Sequence, residues 1–248
     1  MSFAARLTRF IARQTLVKPA RMGASRPIAS ISFDDFPKSA WTVAGPLLAR
    51  HRARGTYYTA GMFCGRTMDG TQFYDADDLA QLSAAGHEIG CHGFSHQPSF
   101  GLSQAVLEDD AARNAAFLKP FLNGGAAESY AFPFGAASIR TKRFQARRYN
   151  SVRGVHPGIN QGRVDLGQLN AVGVEARNFR EADITGAIAR ARANNAWVIF
   201  YTHDVSDSPN PYGATPGMLN FVLERLAAAG VEVLPVREAL PVALGEKP

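Results

Sequence analysis

The feature that most constrains this chain is an alternation beginning at Pro27, in which short apolar runs are separated by longer stretches with helical spacing. Residues 28–33 read as a strand, 38–52 as a helix and 56–60 as a strand. Residues 77–85 read as a helix closed by Gly86, 87–91 as a strand, and 103–121 as a helix with Ser103 at its N-cap. Strand candidates follow at 128–132, 149–155 and 173–176. A helix at 182–193, a buried strand at 197–201, a helix at 216–229 opening on Pro216 and a last strand at 231–234 complete the pattern. Alternating strands and helices imply parallel pairing through crossovers. About seven or eight such units, in a chain with neither repeat nor linker, point to a single distorted (β/α) barrel of the α/β class. The expected division is a basic amphipathic segment over 1–26 and one catalytic barrel over 27–248.

Barrel enzymes carry their chemistry at the C-terminal ends of the strands, and the polar outliers of this sequence fall there. Asp34 and Asp35 end the first strand of the alternation. Adjacent carboxylates repel, so they need a cation or separate partners, and a metal would satisfy one and leave the other to handle protons. The blander reading is a capping pair at a strand-to-helix turn. His92 and His96 follow the strand at 87–91, four residues apart, a spacing that lets two imidazoles share one ion. With one carboxylate they form a set that leaves coordination open, as in a catalytic site. His203 ends the strand at 197–201 and is the natural proton donor, because imidazole titrates near neutrality. Pro133, Phe134 and Gly135 form a rigid turn that can present the Phe134 N–H to a developing oxyanion.

Together these segments resemble the polysaccharide deacetylase family, the NodB-homology or carbohydrate esterase family four hydrolases, over about residues 28–234. Ser32-Phe33-Asp34-Asp35 is similar to the family's Thr-Phe-Asp-Asp-Gly motif, with Phe36 in the glycine's place. Gly86-His87-Glu88-Ile89-Gly90 leading to His92 and His96 is similar to the second motif, with Gly93 replacing the usual Ser or Thr. Phe132-Pro133-Phe134-Gly135 resembles the third, and Thr202-His203 the last. The resemblance implies a distorted barrel, commonly seven-stranded, and a divalent ion, usually Zn2+, held by Asp35, His92 and His96. It also implies Asp34 as catalytic base and His203 as catalytic acid.

Two departures stand out. Ala131 occupies the position of an Arg that normally orients the catalytic base, and the fourth motif is not recognisable between Tyr149 and Glu181. Arg153, in an otherwise apolar strand, is expected to reach the site and pair with Asp34 in place of that Arg. His203 has lost its expected carboxylate partner, and Asp204 is expected to point elsewhere. The implied activity is removal of an N-acyl group, N-acetyl in the first instance, from an amino sugar or polysaccharide by metal-activated water attack. The catalytic set is then Asp34, His203, Arg153 and the Phe134 N–H. One alternative is a deformylase or deacylase of a lipid-linked amino sugar, which would need the N-terminal segment near the site. Another is a catalytically inactive carbohydrate-binding relative. The loop 206–213 is expected to shape specificity, with Gly158, Ile159 and Asn160 also lining the pocket and His156 a candidate substrate contact.

The N-terminal segment carries Arg6, Arg9, Arg13, Lys18, Arg21 and Arg26 with no acidic residue, within a net charge of +6. Phe3, Leu7, Phe10, Ile11 and Leu16 recur at near-helical spacing. One reading is peripheral contact with an anionic membrane surface; the other is a helix packed on its own barrel. The arginines interrupt any signal-peptide core and no run is long enough to span a bilayer, so a cytoplasmic protein is expected, membrane-associated where the N-terminal segment docks. Neither Cys64 nor Cys91 belongs to a Cys-x-x-Cys pair, which fits free thiols; Cys91 is expected to pack rather than ligate. No zinc finger, RNP-like motif or helix-turn-helix accompanies the positive charge, so nucleic acid is not an expected partner.

Overall fold

The computed structural model describes residues 3–246, the side chains of residues 3–7 excepted, so Phe3, Arg6 and Leu7 lie outside the described side chains. Helix α1 (Phe3–Gln14) and strand β1 (Pro19–Arg21) precede the first core strand, β2 (Ile28–Asp34). Two short helices follow, α2 (Ser39–Thr42) and α3 (Ala44–Arg50), then β3 (Thr56–Thr59). A hairpin of β4 (Thr67–Met68) and β5 (Thr71–Gln72) leads to α4 (Ala76–Ala84) and β6 (Glu88–Cys91). Next come α5 (Gln104–Leu118), β7 (Ser129–Ala131), α6 (Ile139–Ala146) and β8 (Ser151–Arg153). The remainder is β9 (Arg163–Asp165), β10 (Val172–Gly173), α7 (Glu181–Ala193), β11 (Trp197–Thr202), α8 (Pro216–Ala228), β12 (Glu232–Val233) and α9 (Val236–Leu244).

Seven strands form a curled parallel sheet in the order β10-β11-β2-β3-β6-β7-β8, the distorted barrel expected from the alternation. Strand β2 lies inside the sheet between β11 and β3 and is buried along its whole length, which is why it reads as an apolar run rather than an alternating one. It pairs with β11 over Ile28 to Phe33, with β3 through Ser32 to Asp34, and with β12 through Ile28 and Ala29. Between β8 and β10 the segment 166–169 lies against β8, with Leu169 N–H donating to the Val152 carbonyl at 2.8 Å. The barrel core and its helical cover share one apolar cluster that includes Ile31, Phe33, Leu48, Leu79, Leu82, Ile184 and Leu223.

The helix expected at 38–52 is broken at Val43 (φ −107°) between α2 and α3. Pro46 explains the break: its nitrogen has no proton and its ring crowds the carbonyl of Thr42, four residues earlier. The helix expected to run to residue 121 ends at Leu118 and tightens into a 3-10 turn containing Pro120. Helices α6 and α9, the β4–β5 hairpin, and the β1–β9 pair have no counterpart in the sequence reading; each is nine residues or shorter.

His87 couples this scaffold to pH. It is buried against the edges of Trp41 and Tyr57, with ring centroids 5.5 and 5.6 Å away, and its Nδ1 accepts the Gly55 N–H at 2.9 Å. Desolvation, helped by Arg54, pushes its pKa from 6.5 down to about 4. Between those values the unfolded chain binds more protons than the folded one, so stability is lost as pH falls through this window. The expected loss reaches about 3 kcal/mol near pH 4. Denaturant titrations of the metal-free protein at several pH values should show this acid limb, flattened in His87→Gln; identical limbs would refute the assignment.

Candidate active site

Strand β2 delivers its two carboxylates in different directions because the backbone turns left-handed immediately after Asp34. Asp35 has φ 63° and Phe36 φ 56°, a conformation that costs a non-glycine residue about 1 kcal/mol or more each. Phe36 offsets that strain by burial against Tyr57 and Tyr74, with centroids 4.8 Å from each ring. This is how the chain accommodates Phe where the resembled motif carries Gly.

Asp35 turns toward the histidines. Its Oδ1 lies 2.8 Å from His96 Nε2 and 3.2 Å from His92 Nε2, and ligand atoms of all three residues fall within 4.8 Å of one another. His92 Nδ1 sits 2.8 Å from the Ala131 carbonyl, which can only accept, so Nδ1 carries the proton. In a neutral imidazole Nε2 then offers a lone pair toward the carboxylate. Asp35 Oδ1 is buried and makes no aligned hydrogen bond. Lone pairs converging on a buried anionic oxygen need a cation between them, so the donor set fits a divalent metal. Burial pushes the Asp35 carboxyl up; imidazoles carrying their second protons in place of an ion outweigh that push and hold it well below the usual carboxylate range.

The loop carrying the histidines is held by Asp110 of α5. One oxygen accepts the Phe94 N–H at 3.0 Å, and the other accepts the Ser95 N–H at 2.8 Å and the Ser95 hydroxyl at 2.5 Å. Gly93 has φ 73°, and a Cβ there would stand 2.9 Å from Asp110, which explains glycine at a position where the family usually has Ser or Thr. Ser95 and Asp110 thus tie down the loop between the two histidines. Asp110→Ala is expected to weaken metal affinity by about 10–100-fold, as losing an outer-shell partner does. Competition with a chelator measures it, and an unchanged affinity would show that the loop holds itself.

Asp34 turns to the opposite side. Arg153 Nη2 donates to Asp34 Oδ1, while Arg153 Nη1 donates to the Gly154 carbonyl at 3.0 Å. The guanidinium is buried between the rings of Tyr58 and Tyr201, 5.0 and 4.9 Å from their centroids. Burial works against its charge, but Asp34 more than compensates and raises its pKa. Arg153 therefore stands beside Asp34 where Ala131 cannot. His203 Nδ1 donates to the Tyr212 carbonyl at 3.1 Å, which leaves Nε2 as the second ring nitrogen. Asp204 faces away, accepting the Asn210 N–H at 3.1 Å and so bracing the loop 206–213.

Asp34, Asp35, His92, His96, Phe134 and His203 line one cavity of about 740 Å³. Phe134 is left-handed (φ 57°), and the bonds of its turn run from Gly135 N–H to Phe132 and from Ala136 N–H to Pro133. Its exposed ring packs 4.7 Å from His96. Asn210, Pro211 and Tyr212 bring the loop 206–213 to the cavity wall. Gly158, Ile159 and Asn160 do not line it. Asn160 instead exchanges backbone hydrogen bonds with Trp197 at the start of β11, the opposite end of the barrel from the site. His156 contacts Arg13 Nη1 at 3.1 Å. Cys91 is buried and accepts from Asn114 at 3.0 Å. The sequence reading missed Glu175, a buried cavity residue held by Arg177 at 2.8 Å. It follows β10, so the strand-end rule that found the histidines could have found it.

This constellation on a curled parallel sheet defines a hydrolase-type barrel. The chain belongs to the polysaccharide deacetylase family, whose model matches residues 22–151, just over half of its length. That match spans the Asp34-Asp35 and His92/His96 motifs and stops short of Arg153 and His203. The fold is similar to that of Bc1960, a peptidoglycan N-acetylglucosamine deacetylase, with TM-score 0.63 and 12% identity over 97% of this chain and 98% of that one. It is also similar to a family 4 acetyl xylan esterase from Clostridium thermocellum solved with a cobalt ion (TM-score 0.59, 19% identity, 88% and 95% covered). A third similar fold is BA3943 from Bacillus anthracis, described as a pseudoenzyme (TM-score 0.57, 12% identity, 89% and 68% covered). No curated protein matches the chain.

Proposed function

We propose that this protein is a metal-dependent amide hydrolase that removes an N-acyl group, acetyl in the first instance, from an amino sugar or polysaccharide. The observation that carries the reading is the division of labour at the end of β2: Asp35 faces two imidazoles, while Asp34 is held apart by a buried arginine. Asp35, His92 and His96 would hold the ion, and a nitrogen-rich set with one carboxylate suits Zn2+ among the common divalent metals. When bound, the ion supplies Lewis-acid stabilisation of charge on the acyl group.

The chain's own residues supply the rest. Arg153 orients Asp34 through Oδ1, so that Asp34 Oδ2 can take a proton from a water attacking the acyl carbon. The Phe134 N–H, in its left-handed turn, is available to the acyl oxygen as negative charge develops. His203, oriented through Nδ1 by the Tyr212 carbonyl, uses Nε2 to protonate the departing amine, which is too basic to leave unprotonated.

Two other readings are set against this one. A binding protein without turnover, like the pseudoenzyme with a similar fold, has no need of Asp34 and His203, neither of which is required to hold the ion. A lipid-linked amino sugar as substrate is favoured by one observation: Arg9 of α1 lines the cavity, with Phe10 and Ile11 exposed beside it. The deciding experiment is metal content together with acetate and formate release from N-acylated amino sugars, with and without chelator. Chelator-sensitive release is expected, and His96→Ala should lose both the metal and the activity. Stoichiometric metal with no release from any N-acyl sugar would favour the binding reading.

A further inference from the structure

Helix α1 is built into the barrel by an unusual device. Lys142 of α6 is fully buried; its Nζ donates to the Ala12 carbonyl at 2.6 Å and the Thr15 carbonyl at 2.8 Å, and pairs with Asp165 at 2.6 Å. A buried ammonium is expensive to desolvate unless its partners are well placed, and here it caps the C-terminal carbonyls of α1, where a cation is also favoured by the helix dipole. Beyond the helix, β1 pairs antiparallel with β9, from Pro19 opposite Asp165 to Arg21 opposite Arg163. The position of α1 is therefore specified from two sides.

That anchoring aims a positive face at the site. Arg9 lines the same cavity as Asp34, Asp35 and His203, and its Nη2 donates to the carbonyl of Phe134, whose ring packs on His96. Arg13, one helical turn on, meets His156 at 3.1 Å. Like charges at this spacing disfavour a helix by themselves and favour an anion placed beside them. Among the acidic residues of the cavity, Asp34 is paired with Arg153, Glu175 with Arg177, and Asp35 faces the imidazoles; Asp69, in the exposed β4–β5 turn, also lines it.

Resting on the proposed function, we infer that α1 forms an oxyanion-binding wall of the active-site cavity and that the substrate is an N-acyl amino sugar bearing a phosphate, read by Arg9 with Arg13 behind it. A guanidinium suits this role because its planar fork matches phosphate oxygens. The phosphate could belong to a soluble sugar phosphate or to a lipid-linked one, and the same cationic wall would read both.

The test is calorimetric titration of the metal-loaded protein with glucosamine, glucosamine 1-phosphate and an octyl phosphodiester of glucosamine. The phosphorylated ligand is expected to bind at least about tenfold more tightly than glucosamine, the scale of one charge-assisted contact, with a preference that weakens as salt is added. Arg9→Ala should reduce that ratio to within about threefold, and Arg9→Lys should keep more of it. A preference seen with glucosamine 1-phosphate supports a soluble substrate, and one confined to the diester supports a lipid-linked one. No preference for either, or a preference that Arg9→Ala leaves intact, overturns the inference, the latter because the phosphate would then be held elsewhere in the site. Since the readout is binding, failure of the hydrolase reading would show separately, as absent acyl release with the ratio preserved.

Discussion

Asp34→Asn is expected to lower kcat by about 10²–10⁴-fold, the range associated with losing one general acid–base group, while the protein still binds its metal. The amide keeps the size of the carboxylate and can still accept from Arg153, but it cannot take a proton from water. Asp35, His92 and His96 are untouched by the change, so metal stoichiometry should stay at the wild-type value. His203→Ala should give a loss of similar order through the other half of the reaction, with the penalty smaller for substrates whose leaving amine is less basic. Retention of full activity in Asp34→Asn would move the base elsewhere and leave the Arg153 contact a structural ion pair.

Arg153→Ala is expected to destabilise the fold by about 3–5 kcal/mol, the range for removing one partner of a buried pair. The substitution removes the partner of a buried carboxylate and leaves a void between Tyr58 and Tyr201, which now sandwich the guanidinium. The loss should be smaller in an Arg153→Met, Asp34→Asn double variant, which removes both charges and refills most of the volume. Chemical denaturation of Arg153→Met, of Asp34→Asn and of the double variant gives the coupling between the two side chains. Equal losses in the single and double variants would mean that packing, rather than the ion pair, is what Arg153 contributes.

The parts of this protein legible from sequence are those set by local periodicity and local chemistry. The apolar runs at β2, β3, β6 and β11 announce a buried parallel sheet because each strand is covered on both faces, and the barrel follows from their alternation with helices. The polar residues that interrupt those runs, Asp34, Asp35, His92, His96 and His203, stand out because an apolar strand has no local reason to end on them. Glu175 escaped because the strand candidate at 173–176 overran the two residues of β10, Val172–Gly173, and so placed Glu175 inside a strand rather than beyond its end.

Other features were decided only when the chain closed on itself. Arg153 is conspicuous in its apolar strand, but its contact with Asp34 crosses 119 residues and exists because the sheet curls until β8 faces the end of β2. The Tyr212 carbonyl in place of a carboxylate behind His203, the Asp110 tie on the loop of His92 and His96, and the entry of Arg9 into the cavity likewise depend on which loops and helices meet above the barrel. No periodicity encodes such meetings. The sequence by itself determined the barrel and the chemical groups at its mouth, since burial and side-chain type act residue by residue; the tertiary structure decided which of those groups face one another, since pairing depends on strand order and curvature.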